Sequence, residues 1–327
     1  MNCWGFAGRA WWRVAVVGGV FTLFVCPAYA EREDGAASRA TTEPASVTQS
    51  YNQEAAQSFS PNGVRAFVHR WFGYSDKLAS YQDYLPMIAD DCVQVFPDNR
   101  MNSKAEFVKW RSGTSSTLRS NTHKLSPISV KRIDQYHWFV AFDVEWQGTN
   151  RDGSMLEDTY HQVWLVDSTA GKLQLRRRDS QMVGVRKLAG IIPHESSLPQ
   201  GNANQVEQMV YAWFAGFDRH CPSQFFTAQM MPGVKMSFPG FPIESEADFL
   251  RWYDNVDKTV AWNAHDVTNL QIKRGTGATW LVSCDVRWTA QLYSGELIDS
   301  WVHQEWVVGY DALGHLQLQH HSCVARP

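Results

Sequence analysis

Large apolar and polar residues alternate over positions 138–146, as they do in a β-strand with one buried face. The even-numbered positions carry only tryptophan, valine and phenylalanine, whereas the odd-numbered ones include Asp143 and Glu145. The same alternation returns over positions 280–288, which lie 142 residues further along the chain (280 − 138 = 142). The pattern therefore predicts one strand that occurs twice.

The 142-residue step holds without a gap over most of the chain. It joins matched residues that include Trp71 and Trp213, Asp76 and Asp218, Trp110 and Trp252, His123 and His265, and Trp164 and Trp306. Near the end the step becomes 143, because one residue is inserted in a final hairpin turn. A unit of this length is a domain with its own core rather than a solenoid repeat, so we predict two tandem domains.

In each copy the sequence pattern predicts helices first and strands afterwards. In the first copy the pattern predicts helices over 64–72 and 78–89, a short strand over 93–96, a third helix after Ser103, and strands over about 121–133, 136–149, 155–167 and 172–182. Ser103 is followed by Glu106 at the spacing of a capping box, and Ser245 with Asp248 repeats the arrangement. Helices followed by a curled antiparallel sheet indicate an α+β fold.

The first 30 residues have the features of a secretory signal peptide. Arg9 and Arg13 are its only charged residues, an apolar run too short to span a bilayer follows, and residues 28–30 read Ala-Tyr-Ala. An uncleaved membrane anchor is the alternative interpretation. We therefore expect a periplasmic or secreted protein with no membrane span once the signal is cleaved.

Composition divides the rest of the chain. Residues 31–60 contain few large apolar side chains and predict a disordered lead-in. The first domain is predicted over 61–182 and the second over 203–327, and the Gly- and Pro-containing stretch 183–202 is the predicted linker.

Charge and cysteine content exclude some functions. Removal of the signal peptide takes away two arginines and no acid, so the formal charge goes from −3 to −5 (28 − 33 = −5), which argues against nucleic-acid binding. The sequence has no Cys-x-x-Cys spacing of the kind that indicates zinc or redox work. For the proton-transfer chemistry considered below we expect neither a metal nor an organic cofactor. Four cysteines remain, Cys92, Cys221, Cys284 and Cys323, and three pairings are open. Cys284 with Cys323 is favoured, since both lie on predicted strands of one copy.

Two acid–imidazole pairs follow from hairpin geometry. The turn centred on Asp152 places Asp143 opposite His161, and the turn centred on Ser294 places Asp285 opposite His303. Residues directly opposed on antiparallel strands lie about 5 Å apart, close enough for a hydrogen bond. An exposed cross-strand ion pair without chemistry explains the same pattern.

Two further acid–imidazole pairs, one in each copy, lie elsewhere in the sequence. Asp76 precedes His123 by 47 residues, and Asp218 precedes His265 by 47. An aspartate can orient a histidine and hold one tautomer, which leaves the other ring nitrogen to abstract a proton. The alternative is that Asp76 closes a helix and His123 is a hydrogen-bonded core residue.

The order of these motifs resembles the SnoaL-like branch of the nuclear-transport-factor-two-like superfamily, the cone fold of scytalone dehydratase and ketosteroid isomerase. The resemblance covers about 61–182 and 203–325. It consists of a Trp-Phe helix followed by an aspartate, then a helix, Phe-Pro, a Ser-capped helix, a strand with Asn-x-His, and three more strands. It implies two cone-shaped domains, each with about three helices on a curved antiparallel sheet around an apolar pocket.

The resemblance also implies roles for particular residues. Dehydratases of that superfamily use an Asp–His dyad whose positions match Asp76 with His123 and Asp218 with His265. Tyr74 resembles a tyrosine that polarises the substrate, whereas Gly216 stands at the matching place in the second copy. This departure puts equal activity of the two copies in doubt.

Aromatic residues of each copy have two interpretations. They line a pocket for a small hydrophobic molecule, or they are packing residues of the core and sheet. The pocket assignment concerns Trp110, Phe142, Trp164, Trp252 and Trp306. Members of the superfamily often dimerise through the open sheet face, so the resemblance also implies an intramolecular pseudo-dimer with a tryptophan-rich seam.

Three functions remain open from the sequence. The first is an exported, cofactor-independent lyase or isomerase of the dehydratase type, with a dyad histidine as the base and a small apolar substrate. The second is a binding or accessory protein of the same fold, and the third is a structural partner in an envelope complex. A dyad histidine within reach of its aspartate and open to a cavity favours the first. A filled interior favours the second.

Overall fold

A computed structural model of the chain describes residues 59–186 and 202–326. The predicted signal peptide and nearly all of the predicted lead-in lie outside these residues, as do residues 187–201 of the predicted linker. Residues 183–186 of that linker belong to the last strand of the first copy, so this strand runs further than predicted.

The first copy contains three helices and seven strands among its described residues. They are α1 (Pro61–Asp76), α2 (Tyr81–Tyr84), a 3₁₀ turn (Leu85–Met87), β1 (Ile88–Val95), β2 (Arg100–Met101), α3 (Lys104–Thr117), β3 (Leu118–Leu125), β4 (Ser129–Arg132), β5 (His137–Asn150), β6 (Met155–Asp167) and β7 (Gln174–Arg186). The second copy repeats this order with α4 (Ala203–Asp218), α5 (Ser223–Thr227), β8 (Met230–Phe238), β9 (Phe241–Ile243), α6 (Glu246–Thr259), β10 (Val260–Arg274), β11 (Thr279–Leu292), β12 (Leu297–Tyr310) and β13 (Leu316–Ala325).

Each copy builds one sheet. The strand order is β2-β1-β7-β6-β5-β3 in the first, where β4 also pairs with β5, and β10-β11-β12-β13-β8-β9 in the second. The pairings are antiparallel except β1 with β7 and β8 with β13, which makes both sheets mixed. The α+β class and the two-unit arrangement are therefore confirmed, with one parallel pairing in each sheet that the sequence did not predict.

The predicted helix over 78–89 is wrong. Leu78 has a φ of 51°, in the left-handed region that ends a helix, and its twin His220 has a φ of 49°. Only the short α2 and the 3₁₀ turn follow, because Pro86 cannot donate the backbone hydrogen bond that a longer helix requires. Ile88 and Ala89 are instead buried at the start of β1.

The alternation over 138–146 places the core as predicted. Trp138, Val140, Phe142 and Val144 are buried, while the odd-numbered side chains of the same strand are exposed or half-buried. Trp71 of α1 packs edge-on against Trp164 with ring centroids 5.7 Å apart, and the matched pair Trp213 and Trp306 lies at 5.8 Å. Each copy therefore has its own core between its first helix and one face of its sheet.

The two copies contact each other through α1 and α4. The helices run in opposite directions, because Asn62 at the start of α1 reaches Asp218 at the end of α4, and Asn204 reaches Asp76 in return. The predicted tryptophan-rich seam between open sheet faces is therefore wrong. Trp138, Trp164, Trp280 and Trp306 are instead buried within the two separate cores.

Positions that match between the copies carry different residues along this helix pair. His69 stacks on its twin Tyr211 with ring centroids 5.5 Å apart and an interplanar angle of 11°. Glu207, the twin of Arg65, lies 2.9 Å from His69 Nδ1, while the Arg65 guanidinium lies 5.8 Å from the centre of the Tyr211 ring. Because the matched residues differ, α1 is complementary to α4, and neither helix is complementary to a second copy of itself.

Candidate active site

The first copy brings Asp76 and His123 together. Asp76 is the last residue of α1 and His123 lies on β3, and Oδ1 of the aspartate is 2.6 Å from Nδ1 of the imidazole. The Asp76 side chain is 5% exposed and that of His123 is 12% exposed. Asn121, two residues before the histidine, donates to the backbone oxygen of Ser75 over 3.1 Å and so ties the strand to the helix end.

The second copy repeats this geometry. Asp218 Oδ1 lies 2.8 Å from His265 Nδ1 and also accepts the backbone N–H of His265 over 3.0 Å. The exposed fractions are 4% for the aspartate and 13% for the histidine. Both imidazoles therefore have Nδ1 occupied by a buried carboxylate, which leaves Nε2 as the nitrogen available for proton transfer.

Two asparagines that the sequence analysis missed complete these dyads from the opposite copy. Asn204 donates from Nδ2 to Asp76 Oδ2 over 2.9 Å and to the backbone oxygen of His123 over 2.9 Å. Its twin Asn62 donates to Asp218 Oδ2 over 3.0 Å and to the His265 oxygen over 2.7 Å. The sequence did contain an indication of these residues, because Asn62 and Asn204 are matched by the 142-residue step. Only the packing of α1 on α4 shows which groups they bind.

Burial sets the electrostatics of the first dyad. It raises the pKa of Asp76, and hydrogen bonds from His123 and Asn204 act in the opposite direction. The carboxylate is held on both oxygens, and the imidazole ring is held from the side by Phe72, whose centroid is 4.8 Å away. Such an arrangement fixes both the tautomer and the orientation of the base before a substrate arrives.

His123 faces a cavity of about 220 Å³ in the first copy. The wall combines aromatic rings with polar and cationic groups: Trp110, Trp146, Tyr84, Tyr160, Arg111 and Arg178. Trp146 donates its indole N–H to Asn121. The first copy thus has an interior that is neither filled nor uniformly apolar.

His265 faces a cavity of about 230 Å³ in the second copy. Its wall is mainly aromatic and aliphatic, including Phe217, Phe238, Phe241, Trp252, Val256 and Val302. Asn263 lines the same space, and its buried Oδ1 has no hydrogen-bond partner among the described residues. The second cavity therefore suits an apolar ligand with few polar groups.

Three of the five residues assigned to a pocket do not line the cavities that hold His123 and His265. Trp110 and Trp252 line the two cavities, whereas Phe142, Trp164 and Trp306 lie behind the walls and are 3%, 0% and 1% exposed. The indole N–H groups of Trp164 and Trp306 donate to Gln162 and Gln304 over 3.1 Å each. These three aromatic residues are core residues, because their strand positions face the first helix at close packing distance.

Tyr74 is not among the residues that line the first cavity. It lies on the flank of α1, where its ring meets Tyr84 edge-on at 5.7 Å, while Trp71 and Ser75 one turn apart face the cavity. In the second copy a Cβ atom on Gly216 would lie 2.5 Å from the Phe225 ring. That position has no room for a tyrosine.

The hairpin registers were predicted correctly. Asp143 pairs with His161 and Asp285 with His303, with carboxylate-to-Nδ1 distances of 2.7 Å and 2.8 Å. None of these four residues lines either cavity. In the first pair both side chains are about half exposed, at 41% for His161 and 56% for Asp143.

Asp285 is held more firmly than its twin. Its side chain is 9% exposed and accepts from Asn269 over 2.8 Å, and Arg326 lies 2.7 Å away. Hydrogen bonds from Asn269 and His303 lower the pKa of Asp285. This pair stabilises the outer face of its sheet.

The favoured disulfide between Cys284 and Cys323 is wrong. All four cysteines of the described residues are free thiols. Cys284 and Cys323 both pair in register with Gln304, one from each side of β12. A whole strand separates them, so their Cα atoms lie roughly 10 Å apart, beyond the reach of a disulfide.

Within residues 59–186 and 202–326, no helix is long and apolar enough to cross a membrane. In the same part of the chain, no group of three or more His, Cys, Asp or Glu side chains is placed to hold a metal ion.

No protein-family model matches the sequence, and no curated protein matches it. Among solved structures, the chain is similar to the hexachlorocyclohexane dehydrochlorinase LinA type 3 of Novosphingobium barchaimii, with 11% identity and a TM-score of 0.37. That match covers 40% of this chain and 93% of the other.

Two further solved structures are similar over comparable lengths. One is a candidate scytalone dehydratase of Novosphingobium aromaticivorans, with 14% identity, a TM-score of 0.33, and coverage of 44% of this chain and 91% of that one. The other is a nuclear transport factor 2-like superfamily protein of Salmonella enterica serovar Typhimurium, with 13% identity, a TM-score of 0.34, and coverage of 46% and 99%. The Salmonella protein carries the name of the superfamily that the sequence pattern resembles.

Proposed function

We propose that the first copy is a lyase or isomerase of the dehydratase type that uses His123 as its general base. One observation carries this proposal: the imidazole lines a cavity of about 220 Å³ while its Nδ1 is bound to a buried carboxylate. A core histidine that only satisfies a hydrogen bond does not require an open cavity on its other side. The geometry therefore favours catalysis over simple packing.

The proposed reaction is a proton transfer followed by elimination or by return of the proton. Nε2 of His123 takes a proton from a carbon of the substrate, and the electron pair of that C–H bond forms a double bond. In a dehydration the neighbouring C–O bond breaks, and the imidazolium gives the proton to the departing hydroxyl, which leaves as water. Asp76 stabilises the imidazolium while it exists, and a positioned base contributes about 10²–10⁴-fold to such a rate.

The second copy has the same dyad in a different cavity. Its wall is mainly aromatic and aliphatic, which favours binding of a small hydrophobic molecule. We propose the same base chemistry for His265, with non-catalytic ligand binding or an accessory role in the envelope as the alternative for the chain. The turnover test below separates these functions.

The test compares variants of the full chain in a turnover screen of small hydroxylated and halogenated ring compounds. His123→Ala and His265→Ala remove one base each, and their combination removes both. His161→Ala is a matched control, because it removes an imidazole that also binds an aspartate but lies on the outer face of the sheet. We expect a loss of at least about 10²-fold in the double variant and full activity in the control.

Turnover that survives in the double variant would eliminate the proposed base. Absence of turnover with every compound, together with saturable binding of a hydrophobic ring compound, would favour the binding function instead. The single variants then decide whether one cavity or both are active.

Two features of the whole protein belong to the same proposal. The unlike residues along α1 and α4 support an intramolecular pseudo-dimer, in which the two copies act as one unit. The signal-like residues 1–30 support export to the periplasm or the medium. N-terminal sequencing of the protein made by its native host should begin at Glu31, and a chain that begins at Met1 would contradict cleavage.

A further inference from the structure

Two arginine side chains are buried in the wall of the first cavity. Arg111 on α3 is 3% exposed, and Arg178 on β7 is 8% exposed. Both line the same space as His123. A buried guanidinium is normally paired with a carboxylate, because an uncompensated charge is costly away from water.

Neither arginine forms an ion pair with an acid of the described residues. Arg178 donates from Nε to Gln162 Oε1 over 2.8 Å, and its guanidinium carbon lies 4.7 Å from the centre of the Phe96 ring. Burial lowers the pKa of Arg178 to about 10, which leaves it charged at neutral pH. Asp98 also lines the cavity, but it is exposed and forms an ion pair with neither arginine.

Arg111 is satisfied only in part. Its Nη2 donates to the backbone oxygen of Ala79 over 3.3 Å, and its guanidinium carbon lies 5.0 Å from the centre of the Tyr84 ring. The buried Nε of the same side chain has no hydrogen-bond partner among the described residues. The wall of the first cavity thus contains two guanidinium groups with N–H donors that remain available to a ligand.

The second copy has the same fold but no arginine at the two matching positions. The 142-residue step places Tyr253 at the position of Arg111, and the 143-residue step near the end places His321 at the position of Arg178. Tyr253 donates its hydroxyl to the backbone oxygen of Cys221 over 2.6 Å. His321 is fully buried, and burial lowers its pKa to about 3, so it is neutral. The two cations are therefore not needed to build this domain.

We infer that the first cavity binds a small organic carboxylate through Arg111 and Arg178, and that the second cavity does not. The planar fork of a guanidinium matches a carboxylate, and such hydrogen bonds are strongest where water is excluded. A cavity of about 220 Å³ admits a single small ring compound. The inference rests on the proposed function in one respect only, since it names the substrate class for the cavity that holds His123.

The test measures binding to the full chain by titration calorimetry, with benzoate and benzamide as probes of nearly equal shape. Cyclohexanecarboxylate and its amide form a second pair. The variants are Arg178→His and Arg111→Tyr, each of which introduces the residue that the second copy already holds at the matching position. The control is His321→Gln, which changes the matching place in the second copy.

We expect the unaltered chain to bind each acid at least about tenfold more tightly than its amide. Each arginine variant should lose most of this preference and keep its affinity for the amide, while His321→Gln should change neither. Equal affinity for acid and amide in the unaltered chain would overturn the inference. So would a preference that survives when both arginines are replaced, because the anion would then bind elsewhere.

This result is independent of catalysis. Benzoate should still be preferred in His123→Ala, which lacks the proposed base but keeps both arginines. Loss of the preference in that variant would identify the histidine as the partner of the anion and would overturn the inference. Failure of the turnover screen removes the proposed base and leaves the binding result unchanged.

Discussion

Asn204 donates a hydrogen bond to Asp76 over 2.9 Å, and the two residues belong to different copies of the duplicated unit. In the matching contact, Asn62 of the first copy donates to Asp218 of the second over 3.0 Å. Both asparagines are 1% exposed, so water does not replace either bond. Each dyad is therefore completed by a side chain of the other copy.

Because these hydrogen bonds join the two copies, we expect a substitution of the asparagine in one copy to affect the dyad of the other. Asn204→Ala removes a donor from the Asp76 carboxylate and from the His123 backbone, so we expect His123 to lose its fixed orientation. The Nδ1–H resonance of His123 in the low-field proton spectrum of the full chain should broaden or vanish. The resonance of His265 should persist.

The matched variant Asn62→Ala should have the reverse effect, on His265 and not on His123. If both resonances disappeared together in either variant, the asparagines would be general packing residues of the α1–α4 interface. Persistence of both resonances in both variants would also contradict the prediction.

The hydrogen bonds of Asp285 predict a contribution to stability that depends on pH. Because hydrogen bonds lower the pKa of Asp285 in the folded chain, its ionised form stabilises the fold above the pKa of the unfolded chain, about 3.9. That stabilisation is lost as the pH falls through the lower folded value. Asp285→Asn should therefore destabilise the chain by about 1–2 kcal/mol at neutral pH, and the difference should shrink below about pH 4.

Asp143→Asn is the matched control at neutral pH. Asp143 is 56% exposed, and His161 is its hydrogen-bonded side-chain partner, so we expect a loss of under about 1 kcal/mol there. Thermal unfolding of both variants across this pH range measures the difference. Equal losses at neutral pH would show that the contacts of Asp285 with Asn269 and Arg326 add nothing.

Two tryptophans that the sequence pattern grouped together should behave differently. Trp164→Phe removes buried volume and the bond from the indole to Gln162, so we expect a loss of about 1–3 kcal/mol. Trp110→Phe changes a half-buried ring in the wall of the first cavity, where a loss under about 1 kcal/mol is expected. Urea unfolding of the full chain measures both. A Trp110 variant as unstable as the Trp164 variant would place Trp110 in the core.

The separation of Cys284 from Cys323 predicts their chemical state. Both are buried on strands that flank β12, so they should be recovered as free thiols even from an oxidising compartment. Alkylation of the protein after unfolding without reductant, followed by peptide mass analysis, gives the answer. A disulfide-linked peptide containing both residues would contradict the strand order described above.

Regular local patterns were sufficient for much of the fold. The pleat of a strand forces side chains to alternate, so the buried face of β5 could be predicted from the sequence. A tight turn fixes hairpin register, which is why Asp143 was placed opposite His161. The local pattern wrongly predicted a helix over 78–89, because the left-handed backbone at Leu78 is not encoded in its residue type.

The assignment of pocket residues shows the same limit. Trp110 and Trp164 have the same side chain and both obey the 142-residue step, yet only Trp110 lines a cavity. Whether a ring fills the core or faces an open space depends on how closely the first helix lies over the sheet. That distance is set by many contacts at once, and no local pattern records it.

The sequence by itself determined the duplication, the α+β class, the registers of two hairpins and the identity of both acid–imidazole dyads as candidates. These follow from spacing and period, which act over short stretches of chain. Only the tertiary structure decided that Asn62 and Asn204 cross between copies, and that Arg111 and Arg178 are buried without acid partners in the described residues. Such relationships join residues far apart in the chain, and they exist only after separate elements have packed together.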